Sequence, residues 1–186
     1  MSERLLSVHK FGGTSLGDAE RIVRAARLLA AASRRRRVVA VASAMGGATD
    51  LLLRAAHEAE RGRLGPALRS VAELRARHEA AAAGISAATG AAVGLDLAPF
   101  AELETALSGI ALLRERTPRV TDLVASFGER LSVPLLAAAL EATGVPARAV
   151  DARTFLVTDA AHGAASCDRR KTDPRDAAWL AKLLEH

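Results

Sequence analysis

Two turns from a strand through glycines into a helix, both within the first fifty residues, constrain this chain more than any other feature. Leu5-Leu6-Ser7-Val8 is a short apolar run that predicts a first strand. It leads into His9-Lys10-Phe11-Gly12-Gly13-Thr14-Ser15, and a helix is expected from about Asp18, where Ile22, Val23, Ala26, Leu29 and Ala30 recur at helical spacing. Val38-Val39-Ala40-Val41-Ala42 is a continuous apolar run rich in β-branched residues, the pattern of a parallel strand buried on both faces. Residues 5–42 therefore predict one βαβ unit. The second strand runs into Ser43-Ala44-Met45-Gly46-Gly47-Ala48-Thr49-Asp50, another glycine-rich turn before a helix. Loops beyond the carboxyl ends of successive parallel strands open on one edge of the sheet, where open α/β folds bind ligands.

The first loop has the make-up of an anion site. Glycines let the backbone come close to a ligand, and N–H groups at a helix start point at it. Lys10 adds a compact charge on a thin stem. Lysine is rare here: Lys10, Lys171 and Lys182 are the only three among 26 Lys plus Arg. The plain alternative is a glycine turn with a solvated lysine, and spacing alone does not separate the two. For the second loop taken alone, Thr49 or Asp50 as a helix N-cap is sufficient explanation.

Further helices are expected over residues 50–62, 65–83, 96–116 and 121–143, the last started by Thr121-Asp122 and kinked at Pro134. A flexible loop is expected over 84–94. His57 and His78 lie on charge-rich helices without ligand-spaced partners, so both are expected at the surface and no metal site is expected. Gly128 costs helix stability and so suggests close backbone approach. Glu129 next to it either pairs with an arginine such as Arg130 or faces the cleft. Ala147-Arg148-Ala149-Val150 is expected as a third strand. Asp151 and Arg153 after it could make a structural ion pair; a structural role is expected for Asp151, and that of Arg153 stays open.

Composition narrows the classes. A chain of 186 residues can bury one real core, here built from alanine and aliphatic side chains, since aromatics are 3%. No uninterrupted apolar run has the length of a bilayer span, and the start of the chain does not read as a signal peptide. The one cysteine, Cys167, fits a reducing compartment, so a cytoplasmic location is expected. The net charge of +5 raises nucleic acid as a partner. It is not the expected one, because stacking aromatics are scarce and the arginines are scattered; Arg34-Arg35-Arg36-Arg37 suits a solvated helix end.

Lys10-Phe11-Gly12-Gly13-Thr14-Ser15 resembles the N-terminal signature of aspartate kinases, in the amino-acid kinase superfamily. Ser43-Ala44 with Thr49 opening a leucine-rich helix resembles that family's second loop, and Phe127-Gly128-Glu129-Arg130-Leu131-Ser132 is similar to its Gly-Glu helix. The resemblance implies a three-layer αβα fold with a mainly parallel sheet, represented here by its N-terminal, amino-acid-binding half. It implies transfer of a phosphoryl group from ATP, accompanied by Mg²⁺, to the β-carboxylate of L-aspartate, the opening step of lysine, threonine and methionine synthesis. Lys10, as the catalytic charge, with Phe11, Gly12, Gly13 and Ser43, would then serve the nucleotide. Thr14, Ser15, Thr49 and Glu129 would serve the aspartate.

That resemblance covers about residues 5–168, expected as one domain part, with 169–186 as a C-terminal amphipathic helix of separate character. The family's Gly-Arg-Gly-Gly-Ser-Asp motif and nucleotide-base pocket have no counterpart in this sequence. A complementing C-terminal half or a homo-oligomer is therefore an expected partner, and a non-catalytic interaction module that keeps the fold is the competing function. Residues 170–184 also resemble a segment of DEDD-type insertion-sequence transposases, with Asp173 and Asp176 at the matching acidic positions. A helix capped at Thr172 or Asp173, with Pro174 in its first turn, accounts for the same residues.

Overall fold

The computed structural model describes residues 5–155. The chain divides into two compact units, Met1–Ala149 and Val150–His186. In the first, β1 (Leu6–Phe11) is followed by a 3-10 turn (Gly13–Leu16), α1 (Ala19–Ser33), β2 (Arg37–Ala42), α2 (Ala48–Glu60), α3 (Leu64–Thr89), α4 (Ala98–Leu113) and α5 (Pro118–Glu141). Among the described residues, the second unit contains a 3-10 turn (Ala152–Thr154) capped by Asp151, whose carboxylate also pairs with Arg153 at 2.6 Å. The boundary expected at 168/169 and the transposase-like tail lie outside the described residues.

The βαβ unit forms as expected, a parallel pair running from Leu6 opposite Arg37 to Phe11 opposite Ala42. β1 extends to Phe11, so Lys10 stands at the strand end, as expected. One face of the pair sends Phe11, Val38 and Ala42 against the core. The other leaves Leu6, Val8 and Val41 largely exposed, at 46%, 63% and 50%. The fold is mixed α/β on parallel strands. The expected third strand at 147–150 does not form. Its two alanines and exposed Arg148 give little of the side-chain packing from which strand preference arises.

The core lies between β1–β2 and the helices. Ile22, Ala26 and Leu29 of α1, Leu52 and Ala56 of α2, and Phe127, Leu131 and Leu135 of α5 are all buried. Small residues let these helices approach closely. The expected loop at 84–94 is a case: α3 continues through Gly84 to Thr89, because the missing side chain lets it meet α1. A Cβ at Gly84 would lie 2.6 Å from the Ala19 Cβ. The connection is confined to residues 90–97. α5 also starts earlier than expected. Thr117, not Thr121, is its cap, accepting from the Val120 N–H at 3.3 Å, and Pro118 sits in the first turn where its missing N–H costs nothing. α5 continues through Pro134.

His78 corrects a second expectation. His57 is at the surface, 3.6 Å from Glu60, but His78 is fully buried. Its Nδ1 is 2.8 Å from the Leu74 carbonyl, its ring meets Phe100 edge-on at 6.2 Å, and its Nε2 has no partner among the described residues. Burial holds its pKa below the ordinary 6.5, with the Arg77 charge acting in the same direction. Among the described residues, α5 has the length and mean hydropathy (1.4) of a bilayer span. Charged residues interrupt its sequence, and its apolar face is taken up by the core.

Candidate functional site

The two glycine loops meet beyond the ends of β1 and β2. The Ser43 N–H donates to the Phe11 carbonyl at 3.0 Å, carrying the strand pairing to the start of the second loop. The loops then interlock at backbone distance. A Cβ on Gly13 would lie 3.0 Å from the Ala44 carbonyl oxygen, and one on Gly46 would lie 3.1 Å from the Gly13 oxygen. Neither glycine tolerates a side chain without moving the other loop. Gly47, at φ +75°, is the N-cap of α2, in place of the expected Thr49 or Asp50. Thr49 thereby stays exposed in the first turn.

Between the loops and α5 lies an open pocket of about 420 Å³. Gly13 and Thr14 line it from the first loop, Ser43, Ala44, Met45, Gly46 and Gly47 from the second, Thr49 from the start of α2, and Glu129 from α5. Its volume is at the small end for ligand sites. The first loop is held from below: Arg21 Nη1 donates to the Thr14 carbonyl at 2.7 Å, while Asp18 caps α1 through the Arg21 N–H.

α5 is fixed against the second loop at three successive points. A Cβ at Gly128 would come 2.6 Å from the Ala44 Cβ, so the glycine serves the close approach that its presence in a helix suggested. The Glu129 Oε1 accepts from the Ala44 N–H at 3.2 Å, and the Ser132 Oγ donates to the Ser43 carbonyl at 2.8 Å. Arg130 turns elsewhere, pairing with Glu102 at 2.7 Å and lying over the Phe127 ring at 4.5 Å. Glu129 thus faces the pocket rather than pairing with Arg130.

Of the nine residues singled out from sequence, Gly13, Thr14, Ser43, Thr49 and Glu129 line this one pocket. Lys10, Phe11, Gly12 and Ser15 do not. Phe11 packs on the core, and Ser15 donates its N–H to the Gly12 carbonyl. Lys10 is exposed, with its Nζ folded toward Gly12, 3.6 Å from where a Cβ would stand. Two residues without an assigned role in the sequence reading hold the loop: Ser132, and Arg77 of α3, whose Nη2 donates to the Gly46 carbonyl. Ser132 was within reach, one turn beyond Gly128 on the same helix face. Among the described residues, no group of three or more His, Cys, Asp or Glu side chains is placed to hold a metal.

Known proteins resemble this chain in sequence and fold. A model described as the amino acid kinase family matches residues 6–186. The chain is 37% identical over 163 residues to aspartokinase 1, chloroplastic, of Arabidopsis thaliana, covering 82% of this chain and 26% of that protein. It is 30% identical over 161 residues to the chloroplastic bifunctional aspartokinase/homoserine dehydrogenase 1 of Zea mays, covering 82% of this chain and 17% of that one. In three dimensions it resembles E. coli aspartokinase III in complex with lysine and aspartate (TM-score 0.69, 26% identity), over 97% of this chain and 39% of that one. The same enzyme in complex with aspartate and ADP gives a TM-score of 0.67 at 27% identity, over 96% of this chain and 37% of that one. The chain thus spans about a quarter of the first of these relatives. Signature loops, Gly-Glu helix and whole-length match lead to one conclusion: the chain belongs to the amino acid kinase family.

Proposed function

We propose that this chain is the amino-acid-binding part of an aspartate kinase, which transfers the γ-phosphoryl group of ATP to the β-carboxylate of L-aspartate. The observation that carries the reading is the pocket in which the Glu129 carboxylate faces two glycine-rich loops. An amino acid offers an ammonium group and carboxylates. Glu129 suits the first, while the backbone N–H groups and the hydroxyls of Thr14 and Thr49 suit the second. The related aspartokinase III solved with aspartate and ADP supports the same ligand pair. Lys10, with the Gly12 and Gly13 amides and Ser43, would balance charge as two anions approach, the main task of such a catalyst. Lys10 is outside the pocket lining, so this role requires its exposed side chain to swing from Gly12 toward the nucleotide. Phe11 would support the nucleotide loop from the core side, and Ser15 would act through the turn rather than by direct contact.

Mg²⁺ would enter with ATP, and it has no cluster of its own among the described side chains. The single cysteine fits action in the cytoplasm. The uncovered apolar face of β1 and β2 supports completion of the site by further polypeptide, since parallel sheets are normally covered on both faces. The same face favours the second reading, a binding module without catalysis of its own. Calorimetric titration with L-aspartate, against succinate as an analogue without the ammonium, tests the reading. Saturable binding of L-aspartate that succinate does not reproduce is expected; equal binding of both, or of neither, would remove the role given to Glu129.

A further inference from the structure

The loop over residues 43–47 is gripped from α5 by Glu129 and Ser132, and from α3 by a third group. Arg77 Nη2 donates to the Gly46 carbonyl. Its guanidinium also lies against Gly47, where an added Cβ would be 3.2 Å from Nη1 and 3.9 Å from Cζ. Gly47 has φ +75°. The backbone therefore favours glycine there, and a side chain would also press on the guanidinium.

This contact fixes a direction as well as a position. In a trans peptide the C=O and N–H point opposite ways, and the chain has no cis bonds among the described residues. Drawing the Gly46 carbonyl to Arg77 turns the Gly47 N–H away from α3. Gly47 lines the pocket, and Arg77 does not. Among the described residues the Gly47 N–H meets no acceptor, whereas the next amide, Ala48, bonds to the Met45 carbonyl at 2.9 Å. The neighbouring Arg75 pairs with Glu79; Arg77 has no carboxylate partner among the described residues, so its charge-assisted bond goes to the loop.

We infer that Arg77 is a positioning residue. It sets the peptide joining Gly46 and Gly47 so that the Gly47 N–H is presented to an anionic oxygen in the pocket, on a carboxylate or a phosphoryl group. The loop-setting part stands on geometry alone; the ligand part rests on the proposed amino-acid site. Lysine at position 77 keeps one donor for the Gly46 carbonyl and loses the planar group that covers Gly47.

The test uses the ¹⁵N-labelled 186-residue chain as wild type, Arg77→Met and Arg77→Lys. Amide exchange at Ala48 and Leu51, whose bonds to Met45 and Gly47 depend on the loop, is measured without ligand. In Arg77→Met it should rise about tenfold with α5 amides unchanged, the mark of local rather than global opening. L-aspartate and inorganic phosphate are then titrated separately, following the Gly47 amide; the anion that shifts it identifies the oxygen it meets. Arg77→Met should weaken that anion about tenfold, the scale of one hydrogen bond to a charged group, with Arg77→Lys between. Unchanged exchange, or faster exchange with unchanged affinity, would overturn the inference. Failure of the wild type to bind either anion would overturn the amino-acid site and the ligand role of Gly47, while the exchange rates still decide whether Arg77 sets the loop.

Discussion

The carboxylate of Glu129 accepts a hydrogen bond from the Ala44 N–H at 3.2 Å, joining α5 to a loop 85 residues earlier in the chain. The same group faces the pocket, so its shape and its charge serve separate ends. Glu129→Gln keeps an oxygen for Ala44 and removes the charge. Stability should change by less than about 1 kcal/mol, while L-aspartate affinity, read by calorimetry, should fall about tenfold or more, as expected when an ion-paired hydrogen bond becomes neutral. Equal affinity would show that the carboxylate acts only on the loop.

Gly128 should be nearly irreplaceable. Alanine ordinarily improves a helix by about 1 kcal/mol over glycine, but here its Cβ would overlap Ala44. Gly128→Ala should therefore destabilise the chain by about 1–3 kcal/mol, the cost of overpacking. Ala44→Gly should relieve part of that loss in the double variant, giving a measurable coupling in urea unfolding. Additive effects would mean that the helix and loop do not press on each other.

His78 gives stability a pH dependence of known sign. Its folded pKa is lowered, so the unfolded chain binds a proton that the fold does not. The stability tied to the neutral imidazole is present in full above the ordinary value of 6.5 and is lost as pH falls toward the folded value. Urea midpoints between pH 7.5 and 5.5 should drop less in His78→Leu than in the wild type. The same slope in both would assign the acid sensitivity to other groups.

What was legible in the sequence followed local chemistry. β-branched runs marked β2, paired glycines marked both loops, and a glycine beside a glutamate in a helix marked the approach of α5. What was hidden depended on distant partners. Gly84 reads as a helix breaker until Ala19 is seen against it. Arg77 is one arginine among many until Gly46 supplies its acceptor. His78 was within reach: it continues the stripe of Val71, Leu74, Ala81, Ala82 and Ile85 on α3, although charged residues flank it in sequence. The strand expected at 147–150 failed for the opposite reason, since a local pattern had too few side chains to hold it in a sheet.

Lys10 should matter to chemistry and little to folding. It is exposed and has no carboxylate partner among the described residues, so Lys10→Ala should shift stability by no more than about 1 kcal/mol. These 186 residues alone should release ADP at background rate from ATP, Mg²⁺ and aspartate. Joined to a matching C-terminal half they should turn over, and Lys10→Ala should then cut kcat by roughly a hundredfold, the scale of one preorganised electrostatic group. Full activity in the joined Lys10→Ala protein would remove Lys10 from the mechanism.

The most direct measurement of the central claim is an L-aspartate titration of the ¹⁵N-labelled chain followed residue by residue. Saturable shifts should gather at Gly13, Thr14, Ser43, Ala44, Gly46, Gly47, Thr49 and Glu129, and in Glu129→Gln should need about tenfold more L-aspartate to reach the same size. Saturable shifts centred elsewhere, or none at any concentration, would contradict the assignment of this pocket to the amino-acid substrate.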